Sequence, residues 1–189
     1  MSRLTLPPAS AEFDQATTLI SARRIQRRVK ELGERIRQDY AGQNLTVVAL
    51  LKGTFVFLAD LVRQVNLPLE LDFIGASSYG SGTRPGTLTF TKDLQLPVAG
   101  RHVLLVDDIL DTGATLSAVA RRLRARKSAS LRTCVLLDKP SRRTVPFQAD
   151  YVGFTIPDHF VVGYGLDYAE RYRNLPFVGV LEGTGHRFR

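Results

Sequence analysis

One segment of the sequence constrains the fold more than any other, because an apolar run in it ends in carboxylates and a glycine turn. In VLLVDDILDTGATL (103–116), four apolar residues lead into Asp107 and Asp108, and Asp111 precedes Thr-Gly-Ala-Thr. A continuous apolar run is typical of a strand buried on both faces of a parallel sheet. Helical spacing follows from about Ala114 to Arg126, so the segment predicts a strand, a turn and a helix.

The rest of the chain repeats this alternation of strands and helices. Further strands are predicted at 47–51, 69–74, 131–138, 151–156 and 177–181, and helices at 19–40 and 54–65. In the second helix, five apolar residues are expected to face the core: Phe55, Leu58, Leu61, Val62 and Val65. Segment 76–86, rich in Gly, Ser and Thr, predicts a mobile loop. The pattern indicates an α/β domain with a mostly parallel central sheet, whose ligands bind at the carboxyl ends of strands.

Composition excludes several classes of protein. With 189 residues and 44% hydrophobic content, the chain has the size and composition of one folded domain, not of a disordered or fibrous protein. No stretch approaches the roughly 20 apolar residues of a membrane span, and MSRLTLPPAS lacks a signal-peptide core, so a cytoplasmic protein is expected. The single cysteine, Cys134, lies in an apolar run and is predicted to be a buried hydrophobe.

The chain carries a formal net charge of +8, which raises the hypothesis of a nucleic-acid partner. Segment 121–143 contains nine basic residues and one acidic residue, so the remainder is neutral in sum. Solvated helix faces are the ordinary explanation of such a block. A second explanation is a positive field that steers a small polyanion towards the strand ends.

The turn at 111–115 has the chemistry of a phosphate site. Gly113 permits a tight turn in which amide N–H groups converge, Thr112 and Thr115 add hydroxyl groups, and a helix N-terminus favours negative charge. Beside this cradle, Asp107 and Asp108 can accept hydrogen bonds from sugar hydroxyls or hold magnesium through water. The segment therefore predicts a site for a phosphorylated sugar.

This run closely resembles the phosphoribosyl pyrophosphate (PRPP) signature of the type I phosphoribosyltransferases. Four other segments resemble the hypoxanthine-guanine branch of that family: the pyrophosphate loop, the catalytic loop, the base-selecting turn and the purine hood. They are LLKGTFVFLADL, DFIGASSYGSG, LLDKPSRR and DYVGFTIPDHFVVGYGLDYAERYRNLP. The resemblance extends roughly from Ile20 to Leu181, and five segments in the family's order make a chance match very improbable.

The resemblance implies a fold and a reaction. It implies a type I phosphoribosyltransferase fold in one domain (1–189), with a core at about 19–150 and a purine-covering hood made by the chain termini and about 151–189. The implied substrates are PRPP, hypoxanthine and guanine, the products are IMP, GMP and pyrophosphate, and the cofactor is Mg²⁺. It further implies a homodimer or homotetramer, with no nucleic-acid partner and no membrane attachment.

The resemblance also assigns residues to PRPP. Asp111 matches the family's acid/base residue; considered alone, it would be a helix N-cap. The family carries a cis peptide where Leu51 meets Lys52, and Arg173 matches a second pyrophosphate contact. The full implied set for PRPP and phosphate is Leu51, Lys52, Gly53, Asp107, Asp108, Asp111, Thr112, Gly113, Ala114, Thr115 and Arg173.

The purine side of the implied site depends on a donor and an aromatic ring. Lys139 matches the residue that donates to the 6-oxo group of hypoxanthine or guanine, which adenine lacks. Phe160 matches the stacking aromatic, and the backbone at Val161 and Asp167 matches the contacts to the pyrimidine edge. The implied metal ligands are Asp107, Asp108 and Asp167, and the loop residues that shield the reaction centre are Ser78 and Tyr79.

Other interpretations of the same motifs exist. An RNA- or DNA-binding regulator that reuses this fold is the main alternative, although such regulators usually lack the acidic residue that Asp111 matches. Adenine, orotate and uracil transferases share the PRPP signature but not the combination of LLDKPSRR with VVGYGLDYAERYR. The sequence does not rank hypoxanthine against guanine, and the use of xanthine stays open.

Overall fold

The computed structural model describes residues 16–78 and 88–181, which form two sheets, three α-helices and one 3₁₀ turn. In chain order the elements are β1 (Ala16–Ile20), α1 (Ala22–Asp39), β2 (Leu45–Leu51), α2 (Phe55–Val65), β3 (Leu69–Ser78), β4 (Leu88–Lys92), β5 (His102–Leu110), α3 (Ala114–Ala125), β6 (Ser130–Asp138), the 3₁₀ turn (Pro140–Arg142), β7 (Tyr151–Thr155), β8 (Val161–Val162) and β9 (Val178–Leu181).

The larger sheet has the strand order β4-β3-β2-β5-β6-β7. All neighbouring pairs in it are parallel except β3 and β4, which are antiparallel. The prediction of an α/β domain with a mostly parallel central sheet is therefore confirmed. Because β2, β5 and β6 are adjacent and parallel, their carboxyl ends lie side by side at one edge of the sheet.

Two apolar layers cover the faces of this sheet. One layer packs α1 and α2 against alternate residues of the strands, such as Val47 and Leu104. The other packs α3 against the residues between them, such as Val48 and Leu105. This burial on both faces explains the continuous apolar run in β5. Cys134 is fully buried in the first layer, as predicted.

A second sheet of three strands, in the order β1-β9-β8, joins the first described strand to the last. Its strands are antiparallel, and Ala16 lies opposite Leu181. The prediction that the first helix begins at 19 is wrong, since Leu19 and Ile20 end β1 and α1 begins at Ala22. Both residues are apolar, and only Ser21 separates them from a helix of similar pattern, so the sequence does not mark the boundary.

Three details differ from the sequence predictions. Phe55 is not turned inward but is 46% exposed at the start of α2, and Phe57 is fully buried instead. Residues Ala76–Ser78 extend β3 rather than beginning a loop, and β4, which was not predicted, pairs with them.

Neither α1 nor the shorter helices has the length and apolarity that a membrane-crossing helix needs, within the described part of the chain.

A Gly33→Ala substitution is expected to destabilise the fold. A Cβ at Gly33 would lie 2.4 Å from Cβ and 2.8 Å from the carbonyl carbon of Gln64, where α1 crosses α2. Overpacking of a tight core contact costs about 1–3 kcal/mol, which exceeds the gain of about 1 kcal/mol in helix propensity. Urea unfolding should therefore show a lower free energy of unfolding. The exposed Gln26→Ala on the same helix is the control, and equal stability of the two variants would contradict this prediction.

Candidate active site

A cavity of about 410 Å³ opens at the carboxyl ends of β2 and β5. Its lining brings together most of the residues predicted to bind PRPP: Leu51, Gly53, Asp107, Asp108, Asp111, Thr112, Gly113 and Thr115. Ala114 is the first residue of α3, directly behind the turn. The sequence segments at 51–53 and 107–115 are thus parts of one cleft.

The two adjacent carboxylates on β5 lie at the base of this cleft. Asp107 is 6% exposed, and its Oδ1 accepts hydrogen bonds from Thr54 Oγ1 at 2.9 Å and from the amide of Asp108 at 3.0 Å. Burial, with repulsion from Asp108, raises the pKa of Asp107 well above its usual value, and burial also raises the pKa of Asp108. Such a pair favours ligands that bring positive charge or hydroxyl donors.

The loop after β2 lies directly against these carboxylates. A Cβ at Gly53 would lie 1.7 Å from Asp108 Oδ2, so this close approach requires glycine. The peptide bond between Leu51 and Lys52 is cis, as the family resemblance implies. The buried Thr54, which the sequence did not indicate as a site residue, follows this loop and contacts Asp107.

The turn after β5 presents the N-terminus of α3 to the cleft. Gly113 has φ +85° and caps the helix, so the alternative of Asp111 as the N-cap is wrong. The amide of Ala114 donates to Thr112 Oγ1 at 3.3 Å. The other amide groups of the first helical turn have no intrahelical acceptor, so they remain available to an anion.

The Asp111 carboxylate has a basic neighbour that the sequence did not predict. Arg142 Nε lies 3.4 Å from Asp111 Oδ1 and 3.8 Å from Asp158 Oδ1. All three side chains are partly exposed, so they form a polar cluster at the mouth of the cleft. It connects the turn after β5 with the 3₁₀ turn after β6.

Lys139 is buried at the end of β6, with 7% of its surface exposed. Its amide donates to the carbonyl of Leu110 at 3.0 Å, which fixes it beside the end of β5. Its Nζ donates to the carbonyl of His159 at 2.5 Å and lies 4.0 Å from Asp158 Oδ1. Burial lowers the pKa of Lys139. Phe160, which follows His159 in the sequence, is half-buried and meets the ring of Tyr168 edge-on.

The residues predicted to contact pyrophosphate form an ionic cluster above Gly53. Arg173 Nη2 lies 2.8 Å from Asp167 Oδ1 and 3.2 Å from Glu170 Oε2, while Lys52 Nζ lies 3.1 Å from Glu170 Oε1. The charge of Arg173 also acts to lower the pKa of Asp108. Within the described ranges, the buried Nε of Arg173 has no hydrogen-bond partner, so the guanidinium retains an unused donor.

The acidic residues of the cleft suit a magnesium ion that is coordinated by only a few protein side chains. Among residues 16–78 and 88–181, no group of three or more His, Cys, Asp and Glu side chains is placed to hold a metal ion. Magnesium usually keeps several waters and binds through one or two carboxylates together with substrate phosphates. The buried Asp107 and the half-buried Asp108 have the oxygen ligands for this mode of binding, and a cation would relieve the repulsion between them.

Two parts of the sequence prediction reach beyond this cleft. Ser78 ends β3, and Tyr79 lies outside the described residues, as does the rest of the predicted mobile loop to residue 86. The basic residues of the block at 121–143 lie in several places, and Arg132 pairs with Asp39. Arg122 and Arg126 both pair with Asp93, whereas Arg142 and Arg143 lie beside the turn at Asp111.

The fold and the cleft define a class of protein. Residues 15–169 match the phosphoribosyl transferase domain family. The crystal structure of a hypoxanthine phosphoribosyltransferase from Staphylococcus aureus is similar to this fold, with a TM-score of 0.88, 43% identity and coverage of 93% of this chain and 97% of that one.

Curated relatives identify the branch. The chain is 52% identical over 165 residues to the hypoxanthine phosphoribosyltransferase of Haemophilus influenzae (85% of this chain, 92% of the relative). It is 48% identical over 172 residues to the hypoxanthine-guanine phosphoribosyltransferase of Bacillus subtilis (90% of this chain, 96% of the relative). It is also 48% identical over 174 residues to the bifunctional protein TilS/HprT of Listeria monocytogenes. This match covers 92% of this chain but only 27% of the length of that relative. The chain belongs to the hypoxanthine-guanine phosphoribosyltransferase family.

Proposed function

We propose that the protein transfers the 5-phosphoribosyl group of PRPP to hypoxanthine and guanine, which gives IMP and GMP and releases pyrophosphate. The observation that carries this proposal is the arrangement at three neighbouring strand ends. An acid pair in β5, the amide-rich turn after it and a buried lysine after β6 lie beside the glycine loop of β2. Together these groups match the sugar, the phosphates and the 6-oxo base of the reactants.

The residues of β5 act on the sugar. Asp107 and Asp108 accept hydrogen bonds from the ribose hydroxyls, and their negative field stabilises the positive charge that develops at the anomeric carbon in an oxocarbenium-like transition state. A bound Mg²⁺ supplies charge neutralisation for the phosphates, with Asp107, Asp108 and Asp167 as its candidate ligands. Asp111 receives the proton that leaves the imidazole edge of the purine.

Phosphate groups bind at two places in this proposal. The turn at Thr112–Thr115 holds the 5-phosphate through amide and hydroxyl donors. Pyrophosphate lies over Leu51–Gly53 and accepts hydrogen bonds from the guanidinium of Arg173, whose planar fork suits phosphate oxygens. The ionic cluster that joins Lys52 and Arg173 through Glu170 supports this role, because it holds both cations near the same loop.

The purine lies between β6 and the small sheet. Lys139 donates to the 6-oxo group, Phe160 stacks on the ring, and the backbone at Val161 and Asp167 contacts the pyrimidine edge. The β1-β9-β8 sheet forms the hood, and the family resemblance assigns to Ser78 and Tyr79 the role of shielding the reaction centre. The family resemblance also supports a homodimer or homotetramer, which light scattering of the purified protein would establish.

The direct test supplies each base to purified protein with PRPP and magnesium. Hypoxanthine and guanine should each be converted to their monophosphates, with little action on adenine, because adenine presents an amino donor to Lys139. Spectrophotometry follows each reaction, and reactions without PRPP are the control. Lack of turnover with both 6-oxopurines would refute the proposal, and salt-sensitive RNA binding in that case would favour the regulator instead.

A further inference from the structure

Arg143 lies behind the turn at 111–113 and bridges it to the end of β6. Its side chain is only 16% exposed. Nη1 donates to the backbone carbonyl of Asp111, and Nη2 pairs with the carboxylate of Asp138. One planar guanidinium therefore connects two strand ends, a geometry that suits its fixed fork of donors.

The residues after Arg143 continue the same contact. The amides of Thr144 and Val145 both donate to the carbonyl of Thr112, each at 3.0 Å. The segment 143–145 thus satisfies two consecutive carbonyl oxygens of the turn, those of Asp111 and Thr112, from one side. Buried or half-buried carbonyls require such partners.

The orientation of these carbonyls determines where the amides point. In a trans peptide, the carbonyl of one residue and the N–H of the next point in opposite directions. Since the carbonyls of Asp111 and Thr112 face segment 143–145, the amides of Thr112 and Gly113 face the opposite side. These residues line the cleft, so their donors are directed towards a bound anion.

The contact is close enough to fix this orientation. A Cβ at Gly113 would lie 2.8 Å from the carbonyl oxygen of Val145 and 3.1 Å from Cδ of Arg143. No space remains for the turn to rotate its peptide groups towards segment 143–145. A change in that segment would therefore be transmitted to the turn.

We propose that Arg143 is a positioning residue that holds the backbone amides of Thr112 and Gly113 in the orientation that binds the 5-phosphate of the substrate. The inference rests on the proposed function for the identity of that phosphate. Arg143 does not contact the substrate; it acts through the carbonyl of Asp111. Through Asp138 it also links the phosphate turn to the strand end that carries Lys139.

The test measures two ligands separately by isothermal titration calorimetry. An Arg143→Met variant should bind ribose 5-phosphate about tenfold or more weakly, because a charge-assisted hydrogen bond that fixes the amides is lost. Its affinity for pyrophosphate should be unchanged, since Lys52 and Arg173 remain. Arg121→Met, an exposed arginine on α3, is the matched control and should bind both ligands as the parent does.

A second variant separates this role from neutralisation of Asp138. Arg143→Lys keeps a cation beside that carboxylate, but a single ammonium cannot also donate to the carbonyl of Asp111 in the geometry of the fork. Arg143→Lys should be more thermally stable than Arg143→Met, which leaves Asp138 without its cation, and should still bind ribose 5-phosphate weakly. Full recovery of that binding, or an equal loss of pyrophosphate affinity in Arg143→Met, would overturn the inference.

The titration does not depend on turnover. A parent protein that converts neither 6-oxopurine, but loses ribose 5-phosphate binding on Arg143→Met, would refute the proposed function and leave this inference standing. If the parent converts both bases, and Arg143→Met is folded and binds ribose 5-phosphate normally, the proposed function stands and this inference is overturned.

Discussion

An Asp111→Asn variant is expected to lose between about a hundredfold and ten-thousandfold in kcat, the range that a positioned general acid or base contributes. The amide keeps the size of the carboxylate but cannot accept the proton that leaves the purine. Asp111 lines the cleft just beyond the end of β5, next to the acid pair and close to Lys139. It is therefore placed between the sugar and the base in the proposed arrangement.

The loss should fall on the chemical step. The backbone of Asp111 is held by Arg143 through its carbonyl, and this contact does not involve the carboxylate. The turn and its amides should therefore be retained, and the KM for PRPP should stay within a few-fold of the parent. Steady-state kinetics with hypoxanthine would separate the two parameters.

A carboxylate far from the cleft provides the control. Glu34 on α1 is exposed and pairs with Arg37 one turn away, so Glu34→Gln removes one negative charge without touching the site. Its kcat should equal that of the parent. An Asp111→Asn variant with unchanged kcat would remove Asp111 from its assigned role, and a large rise in the KM for PRPP alone would make it a binding residue instead.

The central sheet could be predicted because its strands carry their own signal. The run Val103–Val106 is buried on both faces, so the sequence of β5 alone indicates a parallel sheet. The short strands β1 and β8 lack such a signal, since their burial depends on pairing with β9 from the far end of the chain. Leu19 and Ile20 fit either a strand or the start of a helix, and only this pairing decides between them.

The site was predictable where function resides in local motifs. Asp107, Asp108 and the turn at Gly113 lie within one segment, and the family resemblance identified their partners elsewhere. Thr54 and Arg143 were missed because their roles depend on contacts across 53 and 32 residues of the chain. Nothing in the local sequence of a buried threonine, or of an arginine that follows a 3₁₀ turn, indicates which distant carboxylate or carbonyl it will contact.

Lys139 provides the second large effect, on the choice of base. A Lys139→Ala variant should lose between about tenfold and a hundredfold in kcat/KM for hypoxanthine and guanine, the value of a hydrogen bond from a charged donor. The kcat/KM for adenine should fall much less, because its 6-amino group is itself a donor and does not pair with the ammonium group. The ratio of kcat/KM values for hypoxanthine and adenine should therefore fall by a similar factor.

The surroundings of Lys139 favour selection rather than simple attraction. Its Nζ is buried and already donates to the carbonyl of His159, so its remaining protons have few possible directions. A buried donor that meets another donor leaves both unpaired, which rejects a wrong base more strongly than a missing contact does. Lys127→Ala, at an exposed position after α3, controls for loss of one positive charge and should leave the ratio unchanged. An unchanged ratio in Lys139→Ala would mean that base selection resides in the backbone of the hood.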